Sequence, residues 1–243
     1  MIFPAIDLQD GRSVRLYKGD FTKETIINPD PVDQASQYEA AGVGALHLVD
    51  LDGAKAGKPV NVDIVKNVRA AFTGILEIGG GIRDKAAVDL YLEMGVNRVI
   101  LGSVALKNPE LTKQVIAEYG AERIVIGVDG KDGKVAAEGW LDQSDVPMTE
   151  LIGAMVAAGA KYFIVTDVDR DGTMQGANEE LLGSLQDQFP TARIVASGGV
   201  RHLEDIKNLE KCGVVDSIVG KALYEGTITL EEIAAFNKEN PSC

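Results

Sequence analysis

The segment EIGGGIR at Glu77–Arg83 recurs downstream as ASGGVR at Ala196–Arg201, with 118 residues between Gly79 and Ser197 (197 − 79). A second pair, VILGSVAL around Gly102 and SIVGKALY around Gly220, keeps the same offset (220 − 102). No other feature restricts the fold as strongly. The chain reads as two similar halves, each carrying the same two glycine turns, so its architecture must be divisible by two.

Between these turns, short β-branched or apolar runs alternate with amphipathic stretches, the pattern of repeated βα units on a parallel sheet. Eight strands are predicted: Ile2–Asp7, Ala45–Leu51, Ile75–Gly79, Arg98–Gly102, Ile124–Asp129, Tyr162–Asp167, Ile194–Ser197 and Ser217–Gly220. The intervening helices are well punctuated. NPDPVDQASQYEAAG starts after prolines and stops at Gly42, and KNPELTKQVIAEYG opens near Asn108-Pro109 and stops at Gly120. No Pro/Ser-rich linker interrupts the series. Eight such units in 243 residues predict an α/β fold, a (β/α)8 TIM barrel forming one domain over residues 1–243. A doubly wound open sheet is the alternative, and four units repeated once favour the closed ring.

Composition narrows the function. An apolar fraction of 45% supplies an ordinary core. There is no apolar run of about 18 residues, and the start MIFPAIDLQDG lacks a basic region ahead of a long apolar one, so a soluble, cytoplasmic protein without a membrane partner is expected. Cys212 and Cys243 alone do not make a disulfide framework. With 24 basic against 37 acidic residues the net charge is −13, which argues against nucleic acid. An anionic ligand must then be captured by local groups.

The repeated turns are candidates for that capture. Gly79–Gly81 follow the third predicted strand and Gly102 ends the fourth, while Ser197–Gly199 follow the seventh and Gly220 ends the eighth. Loops after strands seven and eight of such barrels often cradle phosphate, because glycines let backbone N–H groups approach the anion. Duplication predicts a second cradle, at Gly80, Gly81, Gly102 and Ser103, opposite the one at Ser197, Gly198, Gly199, Gly220 and Lys221. A ligand filling both is elongated, with an anion at each end. The alternative is that the glycines only permit tight turns.

Asp7 ends the first strand and Asp129 the fifth, 122 residues apart (129 − 7). Strands one and five are also opposite, so two carboxylates face each other across the mouth, as a general acid and a general base or as caps of the following turns. Asp50 and Asp52, and Asp167, Asp169 and Asp171, end the second and sixth strands. DVDRDG lacks the later bidentate Glu of a calcium loop, so no metal is expected there. His47 lies inside the second strand and is expected to be packed; His202 is expected to start a helix. Neither has a His or Cys neighbour for a transition metal. Without a nucleophile elbow, Walker loop or CxxC, the expected chemistry is proton transfer on a phosphorylated small molecule, with no cofactor.

Taken together, PAIDLQDGRSVRLYKGD, LHLVDLDGAKAG, GGGIRD, TDVDRDGT, ASGGVRHLEDI and IVGKALYEG resemble, over essentially the whole chain, the histidine-pathway isomerases that act on N'-(5'-phosphoribosyl)formimino-5-aminoimidazole-4-carboxamide ribonucleotide. The resemblance implies a two-fold symmetric barrel, a small bisphosphorylated ribonucleotide as substrate, and a cofactor-free Amadori rearrangement of an aminoaldose to an aminoketose. It implies Asp7 as general base, Asp129 as general acid, Thr166 as an assisting residue and Asp171 as a neighbour of the substrate. Arg83, Gly172 and Thr173, in the matched motifs, are carried over as binding residues. Arg15, Lys18 and Gly19 lie on a long first loop able to close over the substrate. Trp140, on the long loop after the fifth strand, is placed either to stack on the imidazole or to pack. For Asp129 to hold a proton near neutrality, its pKa must rise well above about 3.9. A monomer is expected.

Three other readings are distinguishable. A bifunctional relative that also isomerises phosphoribosylanthranilate usually has Ser where this chain has Gly79. The sister cyclase, which pairs with a glutaminase, usually opens with Cys-Leu-Asp and carries a lysine in its first loop, against Ala5-Ile6-Asp7 here. A non-catalytic phosphosugar-binding barrel would keep the cradles and lose the strand-end carboxylates.

Overall fold

The computed structural model describes residues 1–17, 19–137 and 142–240. In chain order, β1 (Ile2–Gln9) is followed by β2 (Arg12–Tyr17) and β3 (Asp20–Asn28), then β4 (Ala45–Asp50), β5 (Ile75–Gly79), β6 (Arg98–Leu101) and β7 (Ile124–Lys131). Next come β8 (Lys134–Ala137), β9 (Asp142–Pro147), β10 (Tyr162–Asp167), β11 (Arg193–Ser197) and β12 (Asp216–Val219). Parallel pairing runs β1–β4–β5–β6–β7–β10–β11–β12 and closes where Ile2, Phe3 and Pro4 of β1 pair with Ser217, Ile218 and Val219 of β12. The predicted eight-stranded TIM barrel is the observed fold, and strand ends differ from expectation by no more than a residue or two.

Helices form where the caps direct them. Asp30 accepts from the backbone N–H groups of Val32 and Asp33 with Pro31 in the first turn, opening Pro31–Ala40, and Asn108 accepts from Leu111 ahead of Pro109–Tyr119. Proline costs nothing there, because the first N–H groups of a helix have no partner within it. His202 occupies the N-cap of Leu203–Lys211.

Two hairpins extend the ring where loops were expected. β1 turns into β2 through Asp10-Gly11, with Gln9 paired to Arg12, and β7 turns into β8 through Asp132-Gly133, with Lys131 paired to Lys134. All four turn residues have φ between +50° and +76°. Such two-residue Asp-Gly turns match the right-handed twist of the flanking strands.

The period-2 alternation of each barrel strand divides its side chains between two cores. Ile2, Ile6, Leu46, Leu48, Leu76, Ile78, Ile124, Ile126, Phe163 and Val165 pack outward against the helices. Phe3, Ala5, Ala45, Ile100, Val125, Tyr162, Ile164, Val195 and Ile218 fill the interior. The interior is therefore a packed floor, and open space remains only above it, at the C-terminal ends of the strands.

Candidate active site

Following each inward series upward gives the rim of the site. The last inward position of each strand, or the residue just past it, is Asp7, Val49, Gly79, Gly102, Asp129, Thr166, Ser197 and Gly220. All eight line one cavity of about 280 Å³. Asp129, Thr166 and Ser197 are direct cross-strand neighbours on β7, β10 and β11, and Asp7, Val49 and Gly79 on β1, β4 and β5. The two carboxylates thus approach one space from opposite sides of the ring.

Both glycine turns border the same space, Gly80–Gly81 with Gly102–Ser103 on one side and Gly198–Gly199 with Gly220–Lys221 on the other. Gly80 has φ +100° and Gly198 φ +90°, a region that side chains other than glycine rarely enter. A Cβ at Gly80 would stand 2.1 Å from the Asp50 carbonyl oxygen. Asp50 is fully buried and accepts from the backbone N–H groups of Gly53, Val60 and Asn61 and from the Asn61 side chain, at 2.8–3.0 Å. This carboxylate serves as a fixed internal anchor of the turn.

Arg15 on β2 reaches back into the mouth. Its Nη1 donates to Asp7 Oδ2 at 3.1 Å and its Nη2 to Asp171 Oδ1 at 2.6 Å, and its guanidinium lies over the Gly220 Cα, where a Cβ would meet it at 3.2 Å. Asp7 is 8% exposed. Burial raises its pKa, with Asp171 acting in the same direction and Arg15 and His47 opposing. Lys221 Nζ donates to the Gly172 carbonyl at 3.1 Å. Phe21, from β3, also lines the cavity, under the Lys55 ammonium 5.9 Å from its ring centroid.

Of the residues singled out from sequence, Asp7, Arg15, Gly19, Gly80, Gly81, Arg83, Gly102, Ser103, Asp129, Thr166, Asp171, Gly172, Ser197, Gly198, Gly199, Gly220 and Lys221 all line this cavity. Thr173 does not; its hydroxyl donates to the Arg170 carbonyl at 2.7 Å and shapes the turn. Lys18 and Trp140 lie outside the described residues. His47 is buried, as expected, but it also lines the cavity. Its signal was available in the alternation of ALHLVD, which turns Ala45, His47 and Val49 inward. Among the described residues no three His, Cys, Asp or Glu side chains are grouped so as to hold a metal, and no helix is long and apolar enough to cross a membrane.

Comparison with known proteins gives a consistent picture. Residues 1–229 match the family described as histidine biosynthesis protein. A Lactiplantibacillus plantarum protein is 58% identical over 98% of this chain and 100% of its own length. Relatives from Leuconostoc mesenteroides (52% identical; 96% of this chain, 98% of theirs) and Streptococcus thermophilus (45%; 97% and 98%) are similarly complete. All three are named 1-(5-phosphoribosyl)-5-((5-phosphoribosylamino)methylideneamino) imidazole-4-carboxamide isomerase.

Proposed function

The chain belongs to the family of histidine biosynthesis proteins, and from that premise we propose that it catalyses the isomerisation for which those relatives are named. The substrate is the bisphosphorylated aminoaldose and the product its ribulosyl aminoketose. One observation carries the reading beyond kinship: two strand-end carboxylates face one cavity that also has a glycine cradle on each side.

The chemistry follows from this placement. Each cradle takes one phosphate, fixing the reacting ribose between Asp7 and Asp129. Protonated Asp129 donates to the ribose ring oxygen, the ring opens, and the glycosylamine becomes an iminium. Ionised Asp7 removes the C2′ hydrogen to give an enolaminol that ketonises. Because burial raises the pKa of Asp7, its carboxylate is a stronger base than an exposed one. Arg15 opposes that rise, favouring the ionised carboxylate, and orients Asp7 by the hydrogen bond at 3.1 Å, and Thr166 stands beside Asp129 in register to assist.

The decisive experiment gives the purified protein the formimino bisphosphate and phosphoribosylanthranilate in parallel. Efficient turnover of the first with little or none of the second is expected, since EIGGGIRD offers no second arginine for the anthranilate carboxylate. Comparable kcat/KM on both would make the enzyme bifunctional, and turnover of neither would overturn the assignment.

A further inference from the structure

The barrel interior holds charges that this mechanism leaves idle. His47, Glu77 and Arg98 are direct cross-strand partners on β4, β5 and β6, so all three project to the same face of the sheet, among the interior side chains. His47 Nδ1 lies 2.7 Å from Glu77 Oε1, and Arg98 Nη1 lies 4.0 Å from Glu77 Oε2. The Arg98 guanidinium stacks 4.0 Å from the Tyr162 ring centroid. Glu77 is 2% exposed and Arg98 7%. Removing such ions from water costs several kcal/mol each, and apolar side chains of the same volume serve packing as well or better. A row of this kind calls for a role other than packing.

The geometry of the imidazole indicates the role. An ionised carboxylate only accepts, so Nδ1 carries the hydrogen that bonds Glu77, and Nε2 is the free end of the ring. Among the described residues Nε2 has no hydrogen-bond partner, yet it is not sealed from solvent. Because His47 lines the cavity, that nitrogen opens into the substrate space. His47 is two residues before Val49, the register partner of Asp7, so it sits one interior layer below the Asp7 carboxylate. A proton taken up by this ring would lie close enough to favour the ionised form of Asp7.

We infer that His47 is a third proton-handling catalytic residue, its Nε2 meeting the C2′ hydroxyl of the sugar that Asp7 deprotonates at carbon. The inference rests on the isomerase reading, and the proton count gives it a place. In ring opening the C1′–O bond breaks, its pair takes the proton of Asp129, and the nitrogen lone pair forms the iminium. When Asp7 takes the C2′ hydrogen, the C–H pair becomes the C1′=C2′ bond and the iminium pair returns to nitrogen. In ketonisation the O–H pair forms C2′=O, the C1′=C2′ pair takes the proton held by Asp7 onto C1′, and the hydroxyl proton goes to His47 Nε2. His47 then holds one proton more and Asp129 one fewer than at the start, and transfer of that hydroxyl proton from His47 to Asp129 resets the site without any further reactant. Glu77, accepting from Nδ1, keeps the tautomer that leaves Nε2 able to accept, and Arg98 lies on the far side of the same carboxylate.

The test compares wild type, His47→Ala, His47→Asn and Glu77→Gln on the bisphosphate, with and without added imidazole. His47→Ala is expected to lose kcat by about 10²-fold, with a much smaller change in KM, and to regain a large part of it in imidazole. His47→Asn keeps an amide donor toward Glu77 and therefore the fold, and is expected to lose as much without rescue. Glu77→Gln still accepts from Nδ1 through its amide oxygen and is expected to lose less. Wild-type kcat in either His47 variant, or a folded His47→Ala that imidazole does not restore, would overturn the role of His47 alone. A wild-type protein inactive on the bisphosphate would overturn this inference together with the assignment beneath it.

Discussion

Asp50 and Asp167 close β4 and β10 at equivalent places in the two halves, and each accepts from an asparagine eleven residues on, Asn61 at 2.8 Å and Asn178 at 2.7 Å. Around this shared device the halves diverge. Asp50 is fully buried and also gathers three backbone N–H groups, while Asp167 accepts one, from Asp169, and has Arg170 at 3.5 Å. The glycines above them follow suit: a Cβ at Gly80 would come to 2.1 Å from the Asp50 carbonyl oxygen, and one at Gly198 to 3.1 Å from that of Asp167. Charge is distributed the other way. The C-terminal cradle has Lys221 where the N-terminal one has Ser103, and its Arg201 is tied to Asp205 at 2.6 Å and 3.0 Å. Arg83, the counterpart of Arg201, is exposed at the mouth and bonds only the Ala54 carbonyl among the interactions described. The two halves share the backbone of the glycine turns and differ in the charges set around it.

The comparison breaks first at the carboxylates, where each half contributes one. Asp7→Asn and Asp129→Asn are both expected to fold and to lose turnover by about 10²–10⁴-fold or more, measured as kcat on the bisphosphate. Near-normal turnover in one of them would leave chemistry to a single half. Next in size is the glycine pair. Gly80→Ala must displace backbone at 2.1 Å and is expected to lose more than about 3 kcal/mol in urea unfolding. Gly198→Ala, with contacts no closer than 3.1 Å, should lose about 1–2 kcal/mol, mainly from its positive φ. Equal losses would erase the distinction between a rigid and a looser cradle.

A smaller effect sharpens the charge asymmetry. Lys221→Ser, which makes the C-terminal cradle like the other, is expected to raise KM for the bisphosphate by about tenfold, the worth of one charge-assisted contact. Ser103→Lys should not raise it. Smallest is the ion pair present in one half only. Burial pushes the pKa of Asp205 up, but the side-chain and backbone hydrogen bonds from Arg201 and that from His202 hold it below the ordinary value of 3.8. A depressed carboxylate stabilises the fold fully above the unfolded pKa and loses that contribution as pH falls through the folded one. Asp205→Asn should therefore cost about 1 kcal/mol at neutral pH, modest because Arg201 is 43% exposed. The difference from wild type should shrink as pH falls through the folded pKa, which lies below 3.8. A gap that stays constant with pH would mean that packing, not charge, is lost.

Much of this was legible in one dimension because strands and repeats are local. Short apolar, β-branched runs located all eight barrel strands, since a strand covered on both faces is apolar along its own length, and the constant offset of the glycine turns paired the halves. The Asp-Gly hairpins at Asp10-Gly11 and Asp132-Gly133 were legible too, in QDGR and KDGK, because the turn is set by two residues; they went unread beside the stronger βα rhythm. Distance along the chain concealed the rest. Arg15 meets Asp171 across 156 positions, a contact that exists only once the ring closes and the hairpin folds inward. Thr173 shares a motif with cavity residues, yet its hydroxyl is spent on the local turn. His47 reads as one more residue of an apolar strand, and only the register of β4, β5 and β6 sets Glu77 behind one of its nitrogens and leaves the other open to the cavity. Composition and periodicity determine which residues face the interior, because each depends on its neighbours in sequence. Which interior residues touch is decided by strand register and barrel closure, which depend on every strand at once.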